Sequence, residues 1–404
     1  MNAVGIDISK GKSVAAIVQL GGQVISKPFE LLHTPDDLAQ LVALIHSLPG
    51  ESRIVMEYTG HYYQPVARYL QEAGLYVTVI HPLLVCRYSH NSIRAGKTDR
   101  KDALKIANYA LDRWASLIPF MPDDKARQLL RTLCRQYNQY QKLRTSLKNN
   151  LTALTDQTYP GINTLFTSPP RKNGHEKSSD FVAEFWHCKC VTQLTLVEFI
   201  QKYNDWCKKL GYHPSCKKAE KIYIFSQKLL STLPHDEGVR RLIQQAVIQI
   251  NAINETIAST LQQMQRLAEQ LPEYPEVISL HGVGYVLAPQ LIAEIGDVRR
   301  FTGKAALVAY AGVDSPPHQS GSMNLSSCRI SKRGSPNLRR ILYQIMISLM
   351  QHHPEDDAVY SFINKKRSEG KHFYVCMVAG MNKFLRIYYA RLRDFLETGE
   401  PTDS

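Results

Sequence analysis

Four acidic residues in the first quarter of the chain have types and positions suited to holding a metal ion. Asp7 lies in the apolar N-terminal run GIDIS, Glu57 ends the run RIVME, and Asp99 and Asp102 are three residues apart in KTDRKDA. A carboxylate that leaves water is costly unless a cation or hydrogen bonds compensate its charge. Carboxylate oxygens are ligands that hard cations such as Mg²⁺ prefer. These four residues, the tetrad, therefore predict a site for one or two Mg²⁺ ions.

The chemistry predicted for this site is phosphoryl transfer, because bound Mg²⁺ stabilises the attacking and leaving oxygens of an in-line displacement at phosphorus. Asp99 and Asp102 alone are also typical of a helix N-terminus, where the dipole favours acidic residues. That explanation does not cover Asp7, since Asp disfavours an apolar strand. An actin-like ATPase shares the string GIDIS, but the sequence has no second glycine-rich phosphate loop.

A serine far downstream is the candidate for the attacking group. Ser320 lies in HQSG, where Gly321 permits close backbone approach. A side-chain hydroxyl would retain the phosphodiester energy in a covalent intermediate, whereas water would not. The competing serines are Ser315, Ser322, Ser326 and Ser327. The basic residues expected to hold phosphates nearby are Arg329, Lys332, Arg333, Arg339 and Arg340.

The run VISLHGVGYVLAPQLIAEIG has the form of a helix-hairpin-helix element, with His281 where proline is common. Backbone N–H groups at such a turn suit a DNA phosphate, which makes Gly282 and Gly284 candidate contacts. A purely structural turn is the alternative.

Residues 156–235 form an insert between two long predicted helices. The sequence does not decide whether the insert binds zinc or what its aromatic residues do. One hypothesis is a zinc site, but the ligand spacing lacks paired C-x₂-C knuckles, so reduced thiols are favoured. Its aromatic residues suit base stacking or, as we favour, a small helical core. The possible zinc ligands are His187, Cys188, Cys190, Cys207, His213 and Cys216, and the aromatic residues are Phe185, Trp186, Tyr203 and Trp206.

The elements that must position the tetrad are predicted from periodicity and turn residues. Strands are expected at 3–9, 12–20, 23–31, 52–58 and 76–81, and helices at 35–46, 62–73 and 98–114. Three antiparallel strands followed by alternating helices and strands indicate an α/β layer with a mixed sheet. The apolar stripes of 123–155 and 236–271 predict an antiparallel helical hairpin or coiled-coil arm.

Composition indicates the partner and compartment. A chain of 404 residues should form two or three domains, and its net charge of +13 favours a polyanion such as nucleic acid. The eight cysteines show no disulfide framework, which is typical of a cytoplasmic protein. We expect no membrane span and no signal peptide.

Read together, GIDIS, VMEYTGHY, GKTDRKDA, VAYAGV, HQSG and RISKRGSPNLRR resemble the insertion-sequence-110 transposases, which are RuvC-like DEDD serine recombinases. The resemblance covers residues 1 to about 155 and about 236 to 390. It implies an RNase H-like domain whose Mg²⁺ ligands would be Asp7, Glu57, Asp99 and Asp102. It also implies that Ser320 attacks DNA and forms a phosphoserine link.

The resemblance further implies donor and target DNA as substrates, a structured bridge RNA as guide, and a homo-oligomer, dimer or tetramer. The expected domains are a RuvC-like domain at 1–120, a helical coiled-coil region at 121–272 with the inserted subdomain 156–235, and a mostly helical serine transposase domain at 273–395. Two alternatives stay open at this stage. One is a RuvC-type metal-dependent junction nuclease that uses water, and the other is a non-enzymatic RNA- or DNA-binding scaffold.

Overall fold

The computed structural model describes residues 1–58, 60–88, 98–121, 124–171, 174–315, 319–320, 323–324 and 329–398, and for residues 83, 87, 319, 320, 323 and 324 it describes the backbone alone. The chain divides into two compact units, Met1–Asp123 (unit 1) and Asp124–Ser404 (unit 2). The predicted boundary at residue 272, within unit 2, stays a prediction.

Unit 1 is built on a five-stranded mixed sheet of order β3-β2-β1-β4-β5. The first three strands are antiparallel, and β1, β4 and β5 run parallel. Gly21 and Gly22, both with positive φ, form the turn between β2 and β3. The strands are β1 (Asn2–Ile8), β2 (Lys12–Gln19), β3 (Gln23–Leu32), β4 (Ser52–Glu57) and β5 (Tyr76–Ile80).

Helices cover both faces of this sheet. One core joins the sheet to α1 and α2, and a second core joins the opposite face to α3 and α4. The helices are α1 (Pro35–His46), α2 (Tyr63–Glu72), α3 (Pro82–Tyr88) and α4 (Asp99–Asp112), followed by a 3-10 turn at Trp114–Ser116. The predicted α/β layer with a mixed, RNase H-like sheet is confirmed, and so is the prediction of a helical remainder.

Unit 2 begins with two long helices that pack against each other, as their apolar stripes predict. The insert between them folds as four short helices around its own aromatic core. The elements are α5 (Lys125–Thr158), α6 (Lys177–Glu184), α7 (Lys189–Thr192), α8 (Leu196–Lys209), α9 (Cys216–Ser226) and α10 (Glu237–Ala268), with a 3-10 turn at Ile162–Leu165.

The rest of unit 2 packs on the N-terminal half of α5 and the C-terminal half of α10. Two ion pairs reinforce this core. The buried Arg127 guanidinium donates to both carboxylate oxygens of the buried Glu273 at 2.5 and 2.7 Å, and the half-buried Arg391 donates to the buried Glu276 at 2.6 Å. The elements are α11 (Tyr274–Ile278), α12 (Leu287–Ile295), α13 (Lys304–Ala311), β6 (Gln319–Ser320), β7 (Met323–Asn324), α14 (Pro336–His352), α15 (Ala358–Ser368) and α16 (Phe373–Thr398), with a 3-10 turn at Val298–Arg300.

Among the helices of the described ranges, we find none with both the length and the apolar character that a bilayer crossing requires.

Candidate active site

Strand β1 directs its alternate residues to opposite faces of the sheet, and this alternation places Asp7. Val4, Ile6 and Ile8 belong to the core beneath α1 and α2, whereas Ala3 belongs to the core beneath α4. Side chains two residues apart on a strand share a face. The half-buried Asp7 therefore lies on the face covered by α4.

Glu57 reaches the same face from the neighbouring strand. The parallel register pairs Gly5 with Val55 and Ile6 with Met56, so the next step brings Asp7 beside Glu57. Val55 lies in the α4 core, and Glu57, two residues later, shares its face. Adjacent strands are about 4.8 Å apart. The two carboxylates therefore occupy equivalent positions at the carboxyl ends of two parallel strands.

Gly5 allows α4 to lie directly on β1. A Cβ atom at this position would be 2.2 Å from the Ala103 carbonyl oxygen and 2.4 Å from the Ala107 amide nitrogen, so only glycine fits beneath the helix. Asp99 and Asp102 are in the first turn of α4, which precedes Ala103, and the Thr98 hydroxyl caps that turn by accepting from the Lys101 amide. The Gly5 contact thus fixes the level at which α4 crosses the strand.

Basic side chains border the acidic residues of this first turn. The Lys105 ammonium donates to Asp102 Oδ1 at 2.9 Å, and the Asp102 side chain retains only 17% of its exposure. The pKa of Lys12 is raised, mainly by its hydrogen bond to Glu30 and to a smaller extent by the nearby charge of Asp99. The charge of the tetrad is thus partly compensated by lysines.

The donor chemistry of the tetrad fits a divalent cation, but its spacing in this conformation does not enclose one. All four side chains offer carboxylate oxygens, which hard cations prefer. Across the described ranges, no three histidine, cysteine, aspartate or glutamate side chains lie close enough together to hold a metal ion. Coordination by the tetrad would therefore require side-chain movement, such as release of Asp102 from Lys105.

A cleft of about 380 Å³ opens beside Asp99, and sequence reasoning missed its basic residues. Lys12 and Arg100 place positive charge there, and hydroxyl groups of serine and threonine add hydrogen-bonding capacity. The position of Arg100 next to Asp99 in KTDRKDA could have indicated a basic side chain beside the acidic residues. The cleft suits a phosphate backbone. Its lining residues are Ser9, Lys12, Ser13, Val14, Glu30, Thr98, Asp99 and Arg100.

Ser320 belongs to a hairpin whose two strands have two residues each. Its backbone is opposite that of Met323, and Gln319 is opposite Asn324. The side chain of Ser320 lies outside the described part of the chain, as do Ser322, Ser326 and Ser327. The attacking role predicted for Ser320 stays a prediction.

The basic segment, residues 329–333, is exposed and held by its backbone. The Ser331 amide donates to the Asp314 carbonyl at 2.9 Å, and the Lys332 amide donates to the Gly312 carbonyl at 3.1 Å. The exposed side chains of Arg329, Lys332 and Arg333 extend from this anchored segment. They are suitably placed for phosphate contacts.

Arg339 and Arg340 differ from these residues because their side chains donate hydrogen bonds to other residues of unit 2. Arg339 Nη1 donates to the carbonyls of Ala311 at 3.0 Å and Gly334 at 2.9 Å. Arg340 donates to Gln290 at 2.9 Å and to the Gln344 side chain at 3.0 Å. Burial lowers the pKa of both guanidinium groups. Their phosphate contacts stay a prediction, but a structural role is evident.

The two glycines of the hairpin-like turn also differ. Gly282 has a φ of +79°, and a Cβ there would lie 2.9 Å from Leu349 Cγ and 3.0 Å from the Ile345 carbonyl oxygen. Gly282 is therefore needed for packing against α14. Gly284 is exposed, and a Cβ there would have nothing within 4 Å. Of the two glycines, Gly284 has the open surroundings that a phosphate contact requires.

The insert confirms the preferred structural interpretation of its aromatic residues. Phe185 and Tyr203 are fully buried, and Trp186 and Trp206 are 6% exposed. His187 Nδ1 accepts from the Lys189 amide at 3.0 Å while Nε2 lies 3.2 Å from the Leu233 carbonyl, so both ring nitrogens are engaged. No metal-binding group occurs in the described ranges of the insert.

Comparison with known proteins identifies the family. Residues 4–160 match a family model described as a transposase, and residues 275–361 match one described as the IS116/IS110/IS902 transposase family. An uncharacterised 44.8 kDa protein of insertion element IS116 from Streptomyces clavuligerus is 24% identical over 97% of this chain and 94% of its own length. The transposase of insertion sequence element IS1111A from Coxiella burnetii is 30% identical over 24% of this chain and 27% of its own.

RuvC of T. thermophilus, solved in complex with a Holliday junction substrate, aligns with 30% of this chain and 99% of its own, at 15% identity and a TM-score of 0.23. The RNase H-like assignment of unit 1 therefore rests on its strand order, β3-β2-β1-β4-β5, and not on this alignment. The first family model covers the sheet and α4, which together carry the tetrad, and the second covers the region from α11 into α15, in the order that the motifs predict. The chain belongs to the IS110 family of transposases, which are enzymes that act on DNA.

Proposed function

We propose that this transposase cuts and rejoins DNA of a mobile insertion sequence by attack of Ser320 on a phosphodiester, assisted by Mg²⁺ held by Asp7, Glu57, Asp99 and Asp102. The observation that carries the proposal is the close packing of α4 on Gly5, which directs the first turn of α4 toward the strand ends that bear Asp7 and Glu57. Oxygen donors gathered from a sheet edge and a helix are suited to a hard cation.

In the proposed reaction the Ser320 hydroxyl oxygen forms a bond to phosphorus and the bond from phosphorus to one sugar oxygen breaks. The serine proton is lost to a base, and the released sugar oxygen takes up a proton. The phosphoserine retains the energy of the broken bond, so rejoining is the reverse attack by a sugar hydroxyl. Bound Mg²⁺ would supply charge stabilisation at phosphorus.

The chain's own residues would hold the DNA around this centre. Lys12 and Arg100 line the cleft beside Asp99, and the exposed Arg329, Lys332 and Arg333 follow the serine hairpin. Phosphate contacts of this kind fix the register of the DNA without reading its sequence. We propose that both groups contact the backbone of the strands being exchanged.

Assembly into a homo-oligomer, dimer or tetramer, is part of the proposal. The tetrad and Ser320 belong to different units of the chain, so a shared active site requires docking of the two kinds of unit. The helices α5 and α10 supply exposed apolar side chains that favour a helical partner. These are Leu129, Leu143, Leu242 and Ile248, which are 50%, 44%, 51% and 66% exposed.

We also propose that a structured bridge RNA guides target and donor choice. The net charge of +13 supports a polyanionic partner, and the contiguous helical pair and insert offer a large surface for it. The test is to purify the full chain, treat it with nuclease and sequence the RNA that the protein protects. A discrete structured RNA is expected. A protein that purifies without a discrete RNA and still recombines DNA would contradict guidance.

The covalent step is tested with a suicide DNA substrate, in which cleavage releases a short fragment and traps the linked protein. Wild type should give a protein–DNA adduct in Mg²⁺, and Ser320→Ala should give none. Ser322→Ala, which removes a hydroxyl two residues further along the chain, is the matched control and should retain the adduct. Cleavage by wild type without an adduct would instead support a junction nuclease that uses water.

A further inference from the structure

A group of four aromatic rings, two of them exposed, lies where α14 meets the start of α16. Tyr374 is 61% exposed, and its ring is nearly parallel to the rings of Tyr343 and His372. The ring centroids of Tyr343 and Tyr374 are 6.4 Å apart at 23°, and those of His372 and Tyr374 are 5.7 Å apart at 29°. Phe373 meets Tyr374 edge-on at 5.6 Å. We call Tyr343, His372, Phe373 and Tyr374 the aromatic patch.

The patch lies at the edge of the apolar core to which α16 contributes: Tyr343 and Phe373 are half-buried and pack against that core, whereas His372 and Tyr374 are exposed. Cys376 and Met377 are fully buried in that core, whereas Tyr374 and Val375, which precede them, are 61% and 57% exposed. Exposed contiguous apolar surface on a folded unit is typical of a binding site. Because the rings of Tyr343 and His372 stack with that of Tyr374, these three offer a preformed aromatic surface rather than separate side chains.

Positive charge surrounds these rings. The Arg367 guanidinium lies 5.9 Å from the centroid of the Phe373 ring, and Lys371 is exposed immediately before the patch. From Lys365 to Tyr374 the sequence has four lysine or arginine residues and one acidic residue, Glu369, which pairs with Lys366 at 2.7 Å. A partner with flat apolar groups and negative charge fits both features, and a nucleic acid with unpaired bases has this chemistry.

The patch is also close in the chain to the basic segment proposed to contact DNA. Tyr343 lies on α14, which follows the basic segment, and it is seven positions after Pro336. At 1.5 Å per residue this interval is about 10 Å along the helix. The patch and the basic segment are therefore linked through the first two turns of α14, within the same unit.

We propose that the aromatic patch binds single-stranded DNA, with an unpaired base stacked on Tyr374 and the adjoining phosphates near Arg367 and Lys371. Duplex DNA does not fit this site, because its bases already stack on each other. The proposal rests on DNA being the substrate of this transposase. It is independent of Ser320 as nucleophile, because it concerns binding without cleavage.

The test uses a new fluorescent reporter in the full chain. All three native tryptophans are buried, with 7%, 6% and 6% exposure for Trp114, Trp186 and Trp206, so Tyr374→Trp would add an exposed one at the patch. A short single-stranded DNA should quench its emission, and duplex DNA of the same sequence should not. Ser320→Ala in the same background should leave the quenching unchanged, so failure of the serine mechanism would not affect this result.

Affinity measurements supply the matched controls. Tyr374→Ala should bind the short single strand about tenfold more weakly, which is the usual effect of losing one stacked base. Tyr374→Phe, which keeps the ring, and Val375→Ala, which trims a neighbour of similar exposure, should both bind as wild type. Circular dichroism should be the same for all variants.

Three results would overturn the proposal. They are absence of quenching by single-stranded DNA, unchanged binding by Tyr374→Ala, and an equal loss in Val375→Ala. Tighter binding and stronger quenching by a single-stranded RNA of the same sequence would assign the patch to RNA and would also overturn it.

Discussion

The acidic residues of unit 1 lie at the ends of long elements, whereas Ser320 of unit 2 lies on a hairpin whose strands have two residues each. Asp7 and Glu57 extend from a five-stranded sheet, and Gly5 fixes α4 against it. The serine hairpin has two backbone pairs, and later in the chain the side chains of Arg329, Lys332 and Arg333 are exposed. The framework of unit 1 is thus suited to fixed ligands, and the surface of unit 2 is suited to contact with a substrate. The predictions below test this contrast.

The largest expected effect is on the tetrad. Asp7→Asn keeps the size of the side chain and removes its charge, so cleavage in Mg²⁺ should fall by at least about 100-fold, because charge stabilisation at phosphorus is lost. The measurement is the rate of cleavage of a labelled DNA substrate over a Mg²⁺ titration.

The same loss of cleavage is expected for Asp99→Asn, and Asp36→Asn is its matched control. Both residues are exposed acids in the first turn of a helix of unit 1, on α1 and α4 respectively. Asp99→Asn should lose activity and Asp36→Asn should keep it. Equal activity of Asp7→Asn and wild type would remove the chemical role assigned to the tetrad.

The second effect tests the framework itself. Gly5→Val would force side-chain atoms into the backbone of α4, and overpacking of this kind costs about 3 kcal/mol. The free energy of unfolding should fall and cleavage should fall with it, as measured by denaturant titration. Gly303→Ala is the control and should be tolerated, because a Cβ there would meet nothing within 4 Å and the backbone at Gly303 is extended, with a φ of 172°. A stable but inactive Gly5→Ala would separate positioning from stability.

The third effect distinguishes the two kinds of arginine in unit 2. The triple variant with alanine at Arg329, Lys332 and Arg333 should bind DNA with a weaker dependence on salt. The negative slope of log binding constant against log salt should become less steep by about 3, because about one counterion is released per phosphate contact. The stability of this variant should change little. Arg339→Ala should instead cost about 2 kcal/mol of unfolding free energy, since it removes two hydrogen bonds from a charged donor. A loss of stability in the triple variant, or a weaker salt dependence in Arg339→Ala without loss of stability, would contradict these roles.

The smallest effect is a pH dependence confined to unit 1. Burial lowers the pKa of His33 below its ordinary value of 6.5, and His33 Nε2 lies 2.8 Å from the Ser13 hydroxyl. The unfolded chain therefore binds the proton more readily, so stability is complete above pH 6.5 and declines as the pH falls below that value. His33→Gln should flatten this decline in a thermal unfolding series. An unchanged pH profile would show that His33 does not contribute.

The sequence predicted most of the elements because their signals are local. Strand alternation, the Gly21-Gly22 turn and the apolar stripes of α5 and α10 depend on residues close in the chain, and the observed bounds agree within a few residues. The position of each tetrad residue on its element followed from the same signals.

Contacts between distant segments were not predictable from local patterns. The fit of Gly5 beneath Ala103 and of Gly282 against Leu349 depends on tertiary packing, which a glycine in the sequence does not specify. The basic run RISKRGSPNLRR likewise gave no sign that Arg339 and Arg340 would bond to the protein while Arg333 stayed exposed. Short polar runs define composition, and only the fold decides which charges face water.

The helix pair α5 and α10 takes part in two separate cores, and this gives unit 2 a fixed internal length. On α5, Tyr137 belongs to the C-terminal core and Leu151 to the insert core. At 1.5 Å per residue the interval between them is about 21 Å, which is about six base pairs of B-form DNA at 3.4 Å per pair. A nucleic acid that lies along α5 over both cores would therefore meet protein contacts at a fixed spacing. Adding or removing residues of α5 between the two cores would change that spacing by 1.5 Å per residue.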